Sequence, residues 1–215
     1  MTEPAAAVAA AEFFSAERLV ALTSFAFAGT WTPGPNNMML ANSGASFGFR
    51  RSVPHALGVA LGFPAMAFCV ALGLGEAFQH SALLRESLRW GGAAMLLYLA
   101  WRVATASAAP GDGALTAGRP FTFFEAAAFQ WINPKAWMMA IGVASTYLVG
   151  AAPLAEAAAV AAAFIAAGLS SAHGWAGFGA GMRTWLSKGR RLRFFNIAMG
   201  VALALFVLPM VLADF

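Results

Sequence analysis

The sequence predicts an all-α, polytopic membrane protein, with six transmembrane helices arranged as a 3+3 inverted repeat in which helices 1 and 4 are broken by proline. Three observations predict this class: few charged residues, apolar blocks of membrane-spanning length, and a matched pair of Pro/Gly interruptions. Of the 215 residues, 60% are hydrophobic and 10% are charged, against roughly 45–50% and 25% in an ordinary soluble domain. Because so few charged residues cannot cover a soluble fold of this size, most of the surface is expected to face lipid.

The apolar blocks have the length of helices that cross a bilayer. A spanning helix needs about 20 mostly apolar residues, whereas a spanning β-barrel would show segments of ~10 residues that alternate in polarity. The blocks are long and rich in Ala, Leu, Gly and Phe, which favours helices. We expect six spans, at about Leu19–Ala45, Val53–Gly75, Trp90–Ala108, Phe124–Leu148, Pro153–Phe178 and Phe194–Leu212.

Polar or helix-breaking residues separate these spans. The polar stretch from His80 to Arg89 precedes span 3, and a Pro- and Gly-containing segment at about 109–119 forms the clearest loop. This loop divides a single transmembrane transporter domain, residues 1–215, into half-repeats of about 15–108 and 120–213. Glu156, close to the predicted start of span 5, is expected to be solvated.

The distribution of Lys and Arg predicts the orientation in the membrane. Three loops that share one side carry nine of the 13 basic residues, and the opposite side carries Arg18, Arg85 and Arg89. Since cytoplasmic loops are enriched in Lys and Arg, the loop at about 109–119 should be cytoplasmic and both termini should lie outside the cytoplasm. The nine residues are Arg50, Arg51, Arg102, Arg119, Arg183, Lys188, Arg190, Arg191 and Arg193.

Three spans in each half place the two halves in opposite orientations, which is the inverted repeat of many transporters. In such folds, paired Pro/Gly-interrupted helices are the best sequence indication of the binding site. The segment Trp31–Met39 in span 1 and the segment Trp131–Met139 in span 4 form such a pair. They lie 100 residues apart in the chain, and one Trp and two Met residues coincide.

The interruption in span 1 contains Pro33, Gly34, Pro35, Asn36 and Asn37. Proline lacks an N–H and clashes with the carbonyl one turn earlier, so the helix should open and free polar backbone groups at membrane depth. Such groups are tolerated only against protein or a water-filled cavity. With the two amides they would suit a zwitterion, since N–H groups bind a carboxylate and carbonyls bind an ammonium.

Span 4 repeats this arrangement with Gln130, Asn133, Pro134 and Lys135. A lysine near a helix centre costs roughly 2.5–3.5 kcal/mol on insertion scales and commonly lines a substrate or ion path. Structural alternatives remain open: the prolines could only kink the helices, Lys135 could extend to the interface, and the amides could only bridge helices.

Other classes of function find little support in the residues. The single cysteine, Cys69, excludes an intramolecular disulfide or a paired-cysteine redox site, and three scattered histidines do not form a metal site. A membrane enzyme would depend on Ser170 and Ser171 beside His173, without a third partner. The net charge of +4 is explained by the cytoplasmic loops, so we predict no nucleic-acid partner, no enzyme, no cofactor and no metal. A metal or ion transporter and a non-transporting membrane scaffold remain as alternatives to a solute transporter.

Several motifs resemble the LysE/RhtB family of amino-acid exporters. They are Thr32-Pro-Gly-Pro-Asn-Asn37, Gly48-Phe-Arg-Arg51, Ala56-Leu-Gly-Val-Ala-Leu-Gly62 and, in the second half, Gln130-Trp-Ile-Asn-Pro-Lys-Ala136. The resemblance implies a bacterial inner-membrane protein that exports amino acids from the cytoplasm by proton antiport. The candidates for proton coupling are Lys135, His173 and His55; the oligomeric state is unknown.

Within that family, the doubled Asn36-Asn37 and the segments Ala100–Thr105 and Ala144–Thr146 are most similar to members that export cysteine and O-acetylserine. Many relatives carry an acidic or histidine residue soon after the second Gly of the Gly-x-x-x-Gly pair in span 2, where this chain has Phe63 and Pro64. A basic substrate such as lysine would require a carboxylate in its path. The resemblance therefore implies a small, neutral amino acid or derivative as substrate.

Overall fold

The computed structural model describes residues 8, 10–105, 119–188 and 190–212, and every regular element in that part of the chain is helical. The predicted all-α class is confirmed there. The predicted loop at about 109–119 lies outside the described residues, except for Arg119. A π-helical turn at Val70–Leu74 and a 3₁₀ turn at Gln130–Ile132 accompany the α-helices. The α-helices are α1 Ala16–Trp31, α2 Pro35–Phe47, α3 Phe49–Cys69, α4 Gly75–His80, α5 Ala82–Ala104, α6 Phe123–Phe129, α7 Pro134–Tyr147, α8 Pro153–Leu186, α9 Arg191–Leu205 and α10 Val207–Leu212.

Two helical stretches of the described chain are long and apolar enough to cross a membrane without interruption. One is Phe49–His80, formed by α3, the π-helical turn and α4 over 32 residues, and the other is α8 with 34 residues. Within the first stretch the backbone of Gly73 adopts a φ of +116°, which favours glycine. The other predicted spans are divided into shorter helices or, in α5, carry charged residues near their start, so six crossings remain a prediction.

The helices α5 and α8 are longer than the hydrophobic blocks predicted. The start of α5 is Ala82, because the Ser81 side chain accepts a hydrogen bond from the Leu84 N–H at 3.3 Å and caps the helix. The end of α8 is Leu186, eight residues beyond the predicted Phe178. Charged side chains do not stop a helix, so hydrophobicity alone underestimates helices that continue past the apolar block.

Glu156 is buried, contrary to the prediction that it is solvated. Its exposed fraction is 1%, and its carboxylate accepts hydrogen bonds of 2.9, 3.0, 2.9 and 2.9 Å from the backbone N–H groups of residues 149–152. Within this turn Gly150 has a φ of +74°. A single carboxylate in the first turn of α8 therefore holds together the whole connection from α7.

Replacing Glu156 by glutamine should destabilise the protein, because the amide nitrogen cannot accept the hydrogen bonds that one carboxylate oxygen now accepts. Hydrogen bonds to a charged group contribute about 1.5–3 kcal/mol, and we expect a loss of that order. Thermal unfolding of the purified protein in detergent measures it. The matched control is Glu17→Gln in the first turn of α1, where the side chain is exposed. Equal melting temperatures of the two variants would contradict the conclusion that the hydrogen bonds of Glu156 stabilise the connection from α7.

The helices α2 and α8 pack against each other at backbone distance. A Cβ on Gly44 would overlap the carbonyl of Ala176, and a Cβ on Gly179 would overlap the carbonyl of Ala41. Small residues of this kind allow membrane helices to approach closely and gain dispersion contacts. The glycines therefore fix α2 against the C-terminal half of α8.

The helices α3 and α6 make a second contact of this kind. A Cβ on Gly58 would overlap the carbonyl of Phe123, and a Cβ on Gly62 would lie 2.6 Å from the Ala127 Cα. The α2–α8 contact lies after the first interruption of the chain, and the α3–α6 contact lies before the second. Both interrupted segments are thus held at one end by glycine contacts.

Candidate functional site

The segment between α1 and α2 leaves carbonyl oxygens without helical partners. Pro33 and Pro35 have no N–H to donate to the carbonyls one turn earlier. The helix also ends at Trp31, so the carbonyl of Thr30 has no helical partner and instead accepts hydrogen bonds from Asn37 Nδ2 at 2.8 Å and from Ser171 Oγ at 2.7 Å. A buried carbonyl without a partner would be costly, and two side chains remove that cost here.

The carbonyl of Thr32 also accepts two hydrogen bonds. Asn37 Nδ2 donates at 3.0 Å and Lys135 Nζ donates at 2.6 Å, so the ammonium of one half contacts the interruption of the other. Gly34 permits this approach, because a Cβ there would lie 2.8 Å from Lys135 Cδ and 3.0 Å from Nζ. The glycine between the two prolines is needed for space rather than for an unusual φ, which is an extended −169°.

The second interruption, between α6 and α7, satisfies its backbone in a similar way. Since Pro134 has no N–H, the Gln130 carbonyl accepts the Asn133 N–H at 3.2 Å and closes the 3₁₀ turn. The Asn133 side chain caps α7 by accepting the backbone N–H two residues later at 3.1 Å. Trp137 Nε1 donates to the carbonyl of Trp131 at 2.9 Å. These freed groups thus have partners inside the protein.

The two interruptions are also joined by a reciprocal pair of amides. Asn36 Nδ2 donates to Gln130 Oε1 at 2.8 Å, and Gln130 Nε2 donates to Asn36 Oδ1 at 3.2 Å. A further hydrogen bond from Gln130 Nε2 to the Ala126 carbonyl, at 2.8 Å, fixes the orientation of the amide. The amide pair and the Lys135 ammonium therefore connect residues that lie about a hundred positions apart in the sequence.

A cavity of about 50 Å³ lies between these segments, enough for a few water molecules. One wall is polar and comes from the interruptions, and the other is apolar and comes from α3, α7 and α8. Among the described residues none of those that line it is acidic, and Lys135 is its only charged side chain. The lining is Gly29, Thr30, Gly34, Asn36, Asn37, Val59, Phe63, Pro64, Asn133, Lys135, Ala136, Met139, Phe164, Gly168, Ser171 and Ala172.

Most of the predicted site residues lie together here. Gly34, Asn36, Asn37, Asn133 and Lys135 line the cavity, and Gln130 is bound to Asn36. The three prolines lie in the two interruptions: Pro33 precedes α2, Pro35 is the first residue of α2 and Pro134 is the first residue of α7. The arrangement offers amide donors and acceptors beside one ammonium, which can bind a carboxylate and a small polar group at the same time.

The two histidines predicted as candidates for proton coupling do not line the cavity. His55 is 1% exposed, its ring centroid lies 5.3 Å from that of Phe121, and its Nδ1 has no hydrogen-bond partner in the described structure. His173 Nδ1 lies 2.8 Å from the carbonyl of Leu169 on its own helix. Their role in proton coupling remains a prediction.

Sequence reasoning missed Ser171 as a member of the site. The sequence indicates it only as a candidate nucleophile of an enzyme, whereas its hydroxyl donates to the Thr30 carbonyl and its exposed fraction is 2%. Met139 is a second residue that sequence reasoning missed. Its side chain lines the cavity and lies so close to Gly29 that a Cβ on Gly29 would be 2.6 Å from the Met139 Cε. A hydroxyl in the middle of a long apolar helix is the signal that could have identified Ser171.

No metal centre is found in the described part of the chain. There, no three side chains of His, Cys, Asp or Glu are close enough together to hold an ion. Cys69 is a free, exposed thiol at the end of α3.

Comparison with known proteins gives a consistent result. The sequence model of a family described as LysE type translocator matches residues 27–213. The cysteine/O-acetylserine efflux protein of Escherichia coli O1:K1 / APEC is 35% identical over 119 residues, and those of Escherichia coli strain K12 and Shigella flexneri serotype 5b are 34% identical over the same length. Each match covers 55% of this chain and 59% of the relative. No solved structure matches the chain significantly.

Proposed function

This chain belongs to the LysE family of translocators, and we propose that it exports small, neutral amino acids or their derivatives from the cytoplasm. The family is one of multi-pass membrane transporters and not of enzymes. The observation that carries the proposal is the cavity between the two chain interruptions, where the Lys135 ammonium and the amides of Asn36, Asn37 and Asn133 meet without an acidic residue. A zwitterion could place its carboxylate at Lys135 and its ammonium at the side-chain amide oxygens that line the cavity.

The proposed substrates are cysteine and O-acetylserine, which the names of the E. coli and Shigella relatives give as their cargo. Both are zwitterions with a small side chain. The cavity has an apolar wall, to which Phe63, Met139 and Phe164 contribute, suited to such a side chain. A lysine substrate would bring a second cation next to Lys135 without a carboxylate to bind it, so it should be excluded.

The proposed topology has six crossings in two half-repeats, about 15–108 and 120–213, in a bacterial inner membrane with both termini outside the cytoplasm. Two features support it. The second helix of each interrupted span begins at proline, Pro35 and Pro134. The uninterrupted helices α3 and α8, one from each half, pack together, and so do α5 and α9. The starts of α2 and α7 lie 99 residues apart, which differs by one residue from the 100-residue offset between the segments Trp31–Met39 and Trp131–Met139.

This topology places the glycine contacts of α2 with α8 and of α3 with α6 in the cytoplasmic half of the membrane. The cavity would then be closed towards the cytoplasm in the conformation described here. Alternating access would require α2 and α6 to separate from their partners, and would admit the substrate from the cytoplasm. Proton antiport would supply the energy, with Lys135, His55 or His173 as the carrier.

Transport into inverted membrane vesicles tests the proposal. Vesicles that contain the protein should accumulate radiolabelled cysteine and O-acetylserine, and an imposed proton gradient should increase the accumulation. Vesicles without the protein give the background, and radiolabelled lysine should remain at that level. Lysine uptake equal to cysteine uptake would contradict the substrate class, and equal uptake with and without the gradient would contradict proton antiport.

A further inference from the structure

A second, larger cavity lies on the opposite face of α7. Its volume is about 360 Å³, within the range of about 300–1,000 Å³ typical of ligand pockets. Met139 and Lys135 face the first cavity, whereas Trp137, Met138 and Ile141 face the second. The two cavities therefore share a helix but not a side chain.

The floor of this cavity is apolar. It is formed by Phe78 of α4, Leu88 of α5 and the three side chains of α7. The rings of Phe78 and Trp137 stack with their centroids 4.3 Å apart and their planes at 19°. A surface of this kind suits a hydrocarbon chain.

The rim carries two guanidinium groups, those of Arg85 and Arg89, and no acidic residue lines the cavity in the described structure. The carboxylate of Glu86, which is half exposed, lies 3.5 Å from Arg89 Nη1. Arg89 Nη2 donates to the Val211 carbonyl, and Arg85 Nη1 donates to the Gln79 carbonyl. Arg89 Nε is buried without a hydrogen-bond partner among the described residues, so the rim has donors in excess of acceptors.

We propose that this cavity binds a membrane phospholipid with an anionic headgroup. The phosphate would accept hydrogen bonds from Arg85 and Arg89, since guanidinium groups bind phosphate well. One acyl chain would lie over Phe78, Leu88, Trp137 and Ile141. An anionic lipid satisfies both features, because a soluble anion leaves the apolar floor empty and a neutral hydrocarbon gives the remaining guanidinium donors no acceptor.

A lipid bound here would contact the helix that carries Lys135 on its other face. It would fill the space between α7 and the start of α5 and so restrain the position of α7. The inference rests on the chain crossing a membrane and is independent of which solute is transported.

The glycine at position 142 allows a direct test. Gly142 lines the cavity and a Cβ there would meet nothing within 4 Å, so Gly142→Phe should fill the cavity without strain. Gly91→Phe on α5 is the matched control, since a Cβ at Gly91 also meets nothing within 4 Å and Gly91 does not line the cavity. Thermal unfolding of both variants and of the unchanged protein is measured in a neutral detergent with phosphatidylglycerol, phosphatidylcholine or inorganic phosphate.

Phosphatidylglycerol at about 100 times its Kd should raise the melting temperature of the unchanged protein and of Gly91→Phe by roughly 5–10 °C. It should leave that of Gly142→Phe unchanged. An equal shift from phosphatidylcholine would overturn the claim that the headgroup must be anionic. An equal shift from inorganic phosphate would overturn the claim that the ligand is a lipid. If phosphatidylglycerol raised the melting temperature of Gly142→Phe as much as that of Gly91→Phe, the lipid would not bind in this cavity.

A second variant keeps the test decisive if Gly142→Phe fails to fold. The double substitution Arg85→Gln and Arg89→Gln removes both guanidinium groups from the rim and leaves the apolar floor. It should abolish the difference between the shifts produced by phosphatidylglycerol and phosphatidylcholine. A difference as large as in the unchanged protein would overturn the proposal.

Discussion

Replacing Lys135 by methionine should reduce the efflux of cysteine and O-acetylserine by roughly 10- to 100-fold, the range that corresponds to losing hydrogen bonds from one charged donor. Methionine is unbranched and fills similar space but has no ammonium. The variant would lose the only charged side chain among the described residues that line the cavity. It would also lose the 2.6 Å hydrogen bond to the Thr32 carbonyl, which connects the two interruptions.

The chain provides its own control for this substitution. Lys188 is the only other lysine in the sequence, and its side chain is exposed beyond the end of α8. Lys188→Met removes the same charge from the protein and should leave efflux unchanged. Both variants should insert into the membrane at the level of the unchanged protein. Full efflux by Lys135→Met would remove this residue from the mechanism.

The kinetics of Lys135→Met distinguish two roles for the ammonium. If the ammonium binds the substrate carboxylate, the KM for export should rise while the dependence of transport on the proton gradient persists. If the ammonium carries the exchanged proton, the variant should lose that dependence but retain exchange of labelled for unlabelled substrate. The proximity of Lys135 to the Thr32 carbonyl is compatible with either role, so this measurement is needed.

The position of the candidate site could be predicted from sequence because the governing rule is local. Pro33, Pro35 and Pro134 lack an N–H wherever the chain folds, so each must free a carbonyl one turn earlier. The amides beside them are the simplest partners for such groups, and Asn37 and Asn133 do bind neighbouring backbone atoms. Local chemistry therefore indicated which residues form the two interruptions.

The partners from other parts of the chain could not be predicted in this way. The Asn36–Gln130 amide pair and the hydrogen bond from Ser171 to the Thr30 carbonyl depend on how helices from the two halves cross. Glu156 is a different case, because its four partners lie within seven residues of it, but its first-turn position predicts exposure as readily as burial. Its four backbone partners exist only because the preceding turn folds back over it. A single sequence contains no record of these crossings.

Replacing Gly179 by alanine should produce the largest loss of stability. The added Cβ would overlap the backbone carbonyl of Ala41. Because the backbone fixes the position of a Cβ, no side-chain rotation can relieve this overlap. Overpacking of a core costs typically 1–3 kcal/mol. Because whole helices must move here, we expect a loss of about 3 kcal/mol or more, which lowers the melting temperature by roughly 6–12 °C.

Gly181→Ala is the matched control, since it changes the same residue type in the same helix where a Cβ meets nothing within 4 Å. It should retain or slightly raise the melting temperature, because alanine favours the helix over glycine by about 1 kcal/mol. If Gly179→Ala unfolds at the temperature of Gly181→Ala, then α2 and α8 do not pack at backbone distance. The cavity would then lose its closure next to α2. The contact between α2 and α8 also holds the first turn of α2 in place, and that turn carries Asn36 and Asn37. The stability of one glycine variant therefore tests the geometry on which the candidate site depends.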